Sequence, residues 1–319
     1  MRYTRRDFAK FALSVVPAAG MVGEFAGALL AAPAKVDSKV NGVQIGMNVP
    51  YNFSDMTMSG DDILARCVTL NCGAVELRSQ PVELFLNAPK VPAAPARGAT
   101  STPDDQAARA AAREALRKWR LAASMDSVKP FRKKYDDAGV MIHIVKFDNV
   151  DQLSDDEIDY SFNLVRALGA SALSCEIALP LAKRLAPFAE KHKTRVGYHG
   201  HTQATPEMFE EMFSYGAYNC ANVDIGHFLA GNNTSPVPFI RQHHDRITHV
   251  HIKDRKLNNG PNVPFGQGDT PIVEVLHMLR DNKWPIDAII EFEYPIPTGS
   301  DRMTELQKCM DYCRKALQS

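Results

Sequence analysis

Short apolar runs of strand type alternate with amphipathic helical patterns along most of this chain. The runs are rich in Val, Ile and Ala, whereas each helical pattern repeats its apolar positions every three or four residues. Eight strand–helix pairs follow one another in the 319-residue sequence. This count and order are typical of a parallel (β/α)8 TIM barrel, and we predict an α/β barrel of that class as a single domain.

The alternation also predicts where each element and each domain begins and ends. The predicted elements are strand 43–48, helix 59–70, strand 73–77, helices 103–124 and 128–138, strand 139–147, helix 155–168, strand 170–177, helix 181–191, strand 195–199, helix 206–214, strand 221–225, helix 238–244, strand 246–252, helix 272–282, strand 286–292 and helix 301–317. Residues 78–130 form a predicted insertion of loop and helices after the second strand, and its Pro- and Ala-rich part (residues 81–102) predicts a loop. We expect residues 1–34 to be a separate signal segment and residues 35–319 to be the barrel.

The N-terminal segment has the composition of an export signal. Two arginines (residues 5–6) precede an Ala- and Gly-rich apolar run over residues 11–32, a pattern that looks like a twin-arginine signal peptide. A small-x-small sequence ending at Ala34 predicts cleavage there, and hence a periplasmic or secreted protein. A membrane anchor is the alternative, but Pro17 and Glu24 interrupt the run, which favours a cleaved signal.

Charge, cysteine spacing and hydropathy argue against several kinds of protein. The chain has 37 basic and 37 acidic side chains and a formal net charge of +0, which argues against a nucleic-acid partner, because such a partner needs clustered Lys and Arg. The six cysteines show no zinc-knuckle spacing, and we expect them to be small buried residues, with a Cys67–Cys72 disulfide as the alternative. After signal cleavage, no remaining segment is long and apolar enough to predict a membrane span.

Four predicted strands carry His, Asp or Glu at their C-terminal ends, where a TIM barrel has its active site. These strand ends are residues 196–201 (VGYHGH), 222–227 (NVDIGH), 248–254 (THVHIKD) and 288–293 (AIIEFE). An unpaired buried charge is costly, whereas imidazole and carboxylate groups gathered around a metal ion satisfy one another. The pattern therefore predicts a divalent metal site, and this ligand set suits Mn2+, Zn2+, Co2+ or Fe2+ better than Ca2+.

Alternation along two of these strands separates candidate ligands from their neighbours. His249 and His251 point to the same face, and His251 lies nearer the mouth, so we predict His251 as a ligand and His249 as its support. Glu291 is the predicted carboxylate ligand of the last strand, with Glu293 as the alternative. Lys253 follows on the same side and either stabilises a developing oxyanion or lies on the surface.

The other strand ends offer further candidates. Asp224 and His227 are placed so that one binds the metal while the other reaches substrate, although Asp224 has the alternative role of a helix cap. His199 and His201 again share a face. Glu176 ends the fourth predicted strand as a further ligand or general base, with a capping or salt-bridging role as the alternative.

These strand ends resemble those of the xylose-isomerase-like barrel superfamily, which contains sugar isomerases, epimerases and endonuclease-IV-like proteins. The resemblance covers essentially the whole chain after the signal and is clearest at residues 198–201, 224–227, 251–254 and 290–291, with a glycine-closed loop at residues 259–269. In the epimerases of this superfamily one metal is held from strands five to eight. The resemblance thereby implies the ligands His199, Asp224, His251 and Glu291.

The chain departs from two branches of this superfamily. The epimerases have a Glu ligand where this chain has His199, so either His199 replaces it or Glu176 on the neighbouring strand takes its place. A second Glu to act as paired acid/base for inversion is not evident in the sequence. The endonuclease branch needs three zinc ions, but the second strand ends in residues 76–78 (ELR) without a His, and the loop reads 260–262 (GPN) where its Asp-x-His pair belongs.

The resemblance implies a metal-dependent isomerase or epimerase acting on a sugar or keto-sugar. The metal would chelate a carbonyl and the adjacent hydroxyl and stabilise an enediolate, while Glu176, His201 or Glu293 removes the neighbouring proton. His227 and Lys253 would bind hydroxyls or the oxyanion. The alternatives are a lyase or dehydratase on a keto-sugar or cyclitol, a metal-dependent hydrolase, or a periplasmic sugar-binding barrel without turnover. The Ala- and Arg-rich helix 103–124 packs on a partner subunit of a homo-oligomer, covers the mouth of the barrel or is simply solvated.

Overall fold

Eight parallel strands form a closed barrel in this protein. The computed structural model describes residues 35–92 and 102–319. Its strands are β1 (Lys39–Val40), β2 (Val43–Val49), β3 (Ala74–Arg78), β4 (Met141–Lys146), β5 (Ala172–Glu176), β6 (Arg195–His199), β7 (Asn219–Asp224), β8 (Ile247–Ile252) and β9 (Asp287–Ile290). Strands β2 to β9 pair in chain order, all parallel, and β9 pairs back with β2. The predicted TIM barrel is confirmed.

Helices connect successive strands, and all except the helix Pro103–Ala122 bury apolar residues in one core with the outer faces of the strands. They are α1 (Gly60–Thr69), α2 (Ser79–Phe85), α3 (Pro103–Ala122), α4 (Lys129–Ala138), α5 (Asp155–Leu168), α6 (Leu179–His192), α7 (Pro206–Ser214), α8 (Ile225–Asn232), α9 (Val237–His243), α10 (Ile272–Asp281) and α11 (Arg302–Gln318). Short 3-10 helices cover Tyr51–Phe53, Met125–Val128, Val150–Gln152 and His244–Arg246.

Side-chain caps explain why most predicted helix boundaries lie within two residues of the observed ones. The residue before each of several helices accepts a hydrogen bond from a backbone N–H of the first turn, which satisfies a donor that has no partner within the helix. These caps are Ser59, Thr102, Ser154, Thr205 and Asp301. Since such caps are short polar residues before an apolar pattern, they are visible in the sequence.

Three elements differ from the prediction. The hairpin strand β1, which pairs antiparallel with β2, is absent from it, so the observed strand numbers run one ahead of the predicted ones. The predicted loop 81–102 was wrong at its start, because residues 79–85 form helix α2; residues 93–101 lie outside the described residues. Helix α8 was not predicted, because its sequence (IGHFLAGN) is buried on nearly all sides and shows no polar face.

Helix α8 packs closely on the loop that follows β6, and Gly231 makes this approach possible. A Cβ atom at Gly231 would lie 2.0 Å from the backbone oxygen of Thr202. We expect Gly231→Ala to lower the free energy of unfolding by about 2 kcal/mol, since overpacking outweighs the gain in helix propensity. Urea denaturation measures this. Gly216→Ala is the control, because its added Cβ would approach only Ala186, whose Cβ lies 3.1 Å away. Equal losses of stability in both variants would contradict the role given to Gly231.

Two further sequence expectations concern the wider chain. All six cysteines are buried and free, as expected for small apolar residues, and no Cys67–Cys72 disulfide is present. Among residues 35–92 and 102–319, no helix combines the length and apolarity needed to cross a membrane. The predicted signal peptide, residues 1–34, falls outside the described residues and stays a prediction.

Candidate metal centre

Four side chains from four strand ends meet at the mouth of the barrel. His199 ends β6, Asp224 ends β7, His251 lies near the end of β8, and Glu291 follows β9. Because the strands are parallel, their C-terminal ends share one rim. One potential ligand atom from each of these residues lies within 4.8 Å of those of the other three, and all four residues are buried. The structure thus brings together the four residues that the sequence predicts as ligands.

The polar atoms that face this cluster fit a divalent cation. His251 Nδ1 and Asp224 Oδ2 are buried and have no hydrogen-bond partner, although they lie only 3.9 Å apart. His251 Nδ1 also lies 3.3 Å from Glu291 Oε2 without making a hydrogen bond. Buried polar atoms without partners are rare in folded proteins, and each calls for an explanation. Two imidazoles and two carboxylates form a ligand set typical of Zn2+, Mn2+, Fe2+ or Co2+.

The other atoms of the two carboxylates are already held in place. Asp224 Oδ1 accepts a 2.7 Å hydrogen bond from the backbone N–H of His227 and so caps helix α8. Glu291 Oε1 accepts a 2.9 Å hydrogen bond from Asn48 Nδ2. The alternative role of Asp224 as a helix cap is therefore real, and it is compatible with metal binding, because the cap uses one oxygen and leaves the other facing the cluster.

The two histidines of the cluster differ in protonation. Burial lowers the pKa of His199 well below its usual range, so its ring is neutral at pH 7 and retains a lone pair for a metal. Burial opposes the charge on His251 as well, but the carboxylates of Glu291 and Glu76 outweigh it and raise the pKa of His251 to about 10. A metal that binds Nδ1 of His251 would therefore displace a proton.

Lys253 brings a buried positive charge to the same place. Its ammonium nitrogen lies 2.8 Å from Glu291 Oε2, 3.0 Å from Asp224 Oδ2 and 2.7 Å from Glu293 Oε2. Its contact with Asp224 is an ion pair that lacks the geometry of a hydrogen bond. Burial opposes the ammonium charge, yet the three carboxylates raise the pKa of Lys253 above its usual value. The surface role considered for Lys253 is wrong, because its side chain is only 2% exposed.

His227 lies between two cationic side chains beside the cluster. Its Nδ1 is 2.7 Å from Arg255 Nη1, and its Nε2 is 2.9 Å from Lys253 Nζ and 3.9 Å from Glu293 Oε2. Burial lowers the pKa of His227, so the ring is neutral at pH 7. A neutral imidazole has one acceptor nitrogen and can accept from only one of the two cations.

Glu176 lies outside the four-residue cluster. It is half exposed and pairs with Lys146 Nζ at 2.8 Å and with His201 Nε2 at 3.0 Å. Burial would raise the pKa of Glu176, but His201 and Lys146 bring it down to about 2, which makes it a weak base. The salt-bridging alternative describes its geometry, and His199 rather than Glu176 stands with the other candidate ligands.

Several residues at the site were missed in the sequence. Glu76 on β3 is fully buried, with Oε2 2.5 Å from His251 Nε2 and 3.6 Å from His249 Nε2. Lys146, Asn48 and Asn222 are likewise buried inside the barrel on their strands. The only sequence signal for these four residues is a charged or amide side chain inside an apolar strand, and this signal does not identify the partner.

A family resemblance supports the position of this site. Residues 179–316 match the family described as xylose isomerase-like TIM barrel, and all four cluster residues fall within the match. No curated protein matches the chain in sequence. The match supports the predicted resemblance over residues 179–316, and the closed barrel agrees with the fold that the resemblance implies.

Solved structures share the fold at low sequence identity. The probable 3-DHS dehydratase AsbF from Bacillus anthracis is 12% identical, with a TM-score of 0.59 over 84% of this chain and 98% of that one. D-psicose 3-epimerase, solved in the presence of D-fructose, is 12% identical, with a TM-score of 0.57 over 87% and 100%. The IOLI protein with a bound zinc atom is 13% identical, with a TM-score of 0.54 over 86% and 96%. At these identities the likeness establishes the fold alone.

Proposed function

We propose that this xylose isomerase-like TIM barrel is a metal-dependent isomerase or epimerase that removes a proton next to the carbonyl of a sugar or keto-sugar. The observation that carries the proposal is the buried cluster of His199, Asp224, His251 and Glu291 at the mouth of the barrel, where His251 Nδ1 and Asp224 Oδ2 lack hydrogen-bond partners. Burying these groups is costly, and a purely structural role does not explain why all four converge at one place.

In this proposal the four cluster residues hold one divalent metal ion, of the Zn2+, Mn2+, Co2+ or Fe2+ class. When bound, such an ion polarises a substrate carbonyl and makes the neighbouring C–H more acidic. The fold holds these four residues in place, because three of them lie within or at the end of a strand. Both carboxylates are also fixed, Asp224 by its helix-capping hydrogen bond and Glu291 by its hydrogen bond from Asn48. Sites built on strands position their ligands precisely.

Glu293 is the proposed general base. It is partly exposed at the mouth, and it lies beside the cluster, within reach of a substrate bound there. Its Oε1 accepts a 2.7 Å hydrogen bond from the Tyr51 hydroxyl, and its Oε2 forms an ion pair with Lys253 Nζ at 2.7 Å and accepts a hydrogen bond from Asn262 Nδ2 at 3.2 Å. These contacts orient the carboxylate and keep it ionised, which a base requires. Glu176 is less suited, because it lies outside the four-residue cluster and its pKa is brought down to about 2.

The remaining predicted residues take complementary roles. Lys253 and His227 are placed to donate to a substrate oxygen on which negative charge develops, because both lie beside Glu293. His201 follows β6, three strands away from the end of β9 that carries Glu293. Its hydrogen bond to Glu176 raises the pKa of His201, so it is suited to return a proton to the substrate.

A dehydratase or lyase is the second candidate, and His201 is the observation that favours it. A protonated imidazole held by Glu176 can protonate a departing hydroxyl after the same first proton abstraction. Isomerisation returns the proton to carbon, whereas elimination releases water. The two outcomes therefore differ in the mass of the product by one water molecule.

Exchange of a carbon-bound proton with solvent tests the proposed chemistry. We expect the zinc- or manganese-loaded protein to incorporate deuterium from D2O next to the carbonyl of a ketohexose, measured by NMR over a panel of keto-sugars. Glu293→Gln is expected to slow this exchange by at least about a hundredfold, the effect of losing a general base. Metal content should stay unchanged in that variant.

The matched control is Glu176→Gln, which changes the same chemical group at the same rim outside the four-residue cluster. It is expected to retain exchange to within about tenfold. Hydrolysis of a substrate, or binding without exchange across the panel, would overturn the proposal in favour of a hydrolase or a sugar-binding barrel. A product lighter by one water would assign the dehydratase.

We also propose that the chain is exported by the twin-arginine pathway and acts on its carbohydrate in the periplasm. The support is the sequence of residues 1–34 alone. Cell fractionation of the wild type and of a variant with both Arg5 and Arg6 changed to Lys tests this, and retention of both proteins in the periplasm would contradict it.

A further inference from the structure

Asn222 lies between the two histidines of the candidate metal centre. It is fully buried on β7, two residues before Asp224, so both side chains point into the barrel. One end of its side-chain amide, built as Nδ2, is 3.3 Å from His199 Nδ1 and 3.1 Å from His251 Nε2. The other end, Oδ1, is buried without a partner. One amide thus touches both candidate imidazole ligands.

Glu76 decides which atom of His251 carries a proton. Glu76 Oε2 lies 2.5 Å from His251 Nε2, and both groups are fully buried. The same oxygen lies 3.6 Å from His249 Nε2, so two imidazole rings face this one carboxylate. An ionised carboxylate only accepts hydrogen bonds, so Nε2 of His251 must donate. This holds whether the ring is neutral or protonated.

A donor on His251 Nε2 is incompatible with an amide N–H group 3.1 Å away. The two ends of a side-chain amide have nearly the same shape, so the hydrogen bonds decide which end is the oxygen. With the carbonyl oxygen on the side of the histidines, Asn222 and Glu76 share the single N–H of His251 Nε2 in a three-centre hydrogen bond. The opposite end of the amide is unpaired in either orientation and does not affect the choice.

We propose that Asn222 presents its carbonyl oxygen to His199 and His251 and, together with Glu76, sets the tautomers in which both rings have a free nitrogen for the metal. An oxygen at this position requires a proton on Nδ1 of His199, which leaves Nε2 as its free nitrogen. His251 keeps its proton on Nε2 when a metal displaces the one on Nδ1, the nitrogen that faces Glu291 and Asp224. Asn222 is thus a positioning residue that acts through the ligands.

This inference rests on the proposed function only in its use of a metal; the tautomer of the neutral His199 ring is a property of the metal-free protein. Two measurements therefore test the inference and the proposed function separately. Histidine labelled with 15N reports by NMR which nitrogen of each ring carries the proton, without any metal. Competition with a zinc chelator reports the affinity of the same proteins for Zn2+.

Asn222→Asp and Asn222→Leu form the informative pair. Asp keeps an acceptor between the rings, whereas Leu keeps the branched shape of Asn in a larger side chain and cannot accept. We expect Asn222→Asp to keep Nδ1–H on His199 and to bind Zn2+ within about threefold of the wild type. Asn222→Leu should lose the fixed tautomer and weaken Zn2+ binding by about 10–100-fold, the usual effect of losing a residue that orients a ligand.

Asn219 provides the control on the same strand. It is equally buried, but its amide donates to the backbone oxygens of Ala182 and Met212 outside the barrel. Asn219→Leu is expected to lower stability while leaving the affinity for Zn2+ and the His199 tautomer unchanged.

Three results would overturn the inference: an unchanged His199 tautomer in Asn222→Leu, a wild-type Zn2+ affinity in that variant, or an Asn222→Asp protein as impaired as Asn222→Leu. A wild type that binds no Zn2+ would overturn the proposed function. The tautomers measured without metal would still decide whether Asn222 sets them.

Discussion

Glu291→Gln is expected to lower the affinity of the protein for Zn2+ by more than about a hundredfold, because even residues that only orient a ligand are worth 10–100-fold. Glu291 Oε2 lies 3.3 Å from His251 Nδ1, and its carboxylate supplies half of the negative charge of the four-residue cluster. The amide of Gln keeps the shape but removes the charge. His251→Ala is expected to have an effect of the same order, because it removes the imidazole that faces both carboxylates.

The measurement is the metal content of purified protein after dialysis against Zn2+, together with chelator competition. Glu176→Gln is the discriminating control, because Glu176 was the alternative to His199 as fourth ligand and lies outside the cluster. We expect this variant to retain about one Zn2+ per chain. Loss of metal in Glu176→Gln with retention in Glu291→Gln would place the metal elsewhere on the rim. A wild type without affinity for any of the four metals would leave a sugar-binding barrel.

The predicted barrel and its four candidate ligands were accessible from sequence for a common physical reason. A strand buried on both faces tolerates a charged or imidazole side chain only where that side chain gains a partner. His251 and Glu291 are such exceptions at the ends of apolar runs, whereas the choice of His199 and Asp224 as the other two ligands was implied by the family resemblance. Parallel pairing then places these ends on one rim, so convergence follows from the fold without further information.

The surrounding side chains could not be predicted, because their partners lie far away in the chain. Glu76 and His251 are 175 residues apart in sequence, and Asn48 and Glu291 are 243 apart. Each stands in a run that predicts a strand correctly, but only the closed barrel lets Glu76 on β3 meet His251 on β8 across its interior. The orientation of a histidine ring depends on these partners, so the sequence predicts the ligands but not their tautomers.

Helix α8 shows a different limit. Its first turn is capped by Asp224, the same residue that faces the cluster, so the sequence DIGH carries two functions at once. The apolar residues that follow are buried on nearly all sides, and two glycines lower the helix propensity. Helical periodicity needs a polar face to be visible. A helix that is buried on nearly all sides therefore shows little of the apolar and polar periodicity from which helices are predicted.

Lys253→Met is expected to lower the free energy of unfolding of the metal-free protein by about 3–5 kcal/mol, the usual result of removing one partner from a buried ion pair. The ammonium of Lys253 lies within 3.0 Å of oxygens of Asp224, Glu291 and Glu293, and Met has a similar length without the charge. Three buried carboxylates would remain without their common cation. Urea denaturation of chelator-treated protein measures the loss, and Lys256→Met, which removes an exposed pair with Asp269, should change stability by less than about 1 kcal/mol.

Lys253→Met is also expected to strengthen Zn2+ binding and to abolish turnover. These opposite effects on metal affinity and on activity distinguish two roles of Lys253. As a cation it competes with a metal for Asp224 and Glu291, so its removal raises the affinity. Zn2+ at a thousand times its dissociation constant then restores about 4 kcal/mol of stability. As a donor it stabilises charge on the substrate oxygen, so its removal lowers proton exchange even in fully metal-loaded protein. Unchanged Zn2+ affinity would show that Lys253 and the metal use different oxygens. Unchanged exchange would show that Lys253 has only a structural role, in which it neutralises the three carboxylates around it.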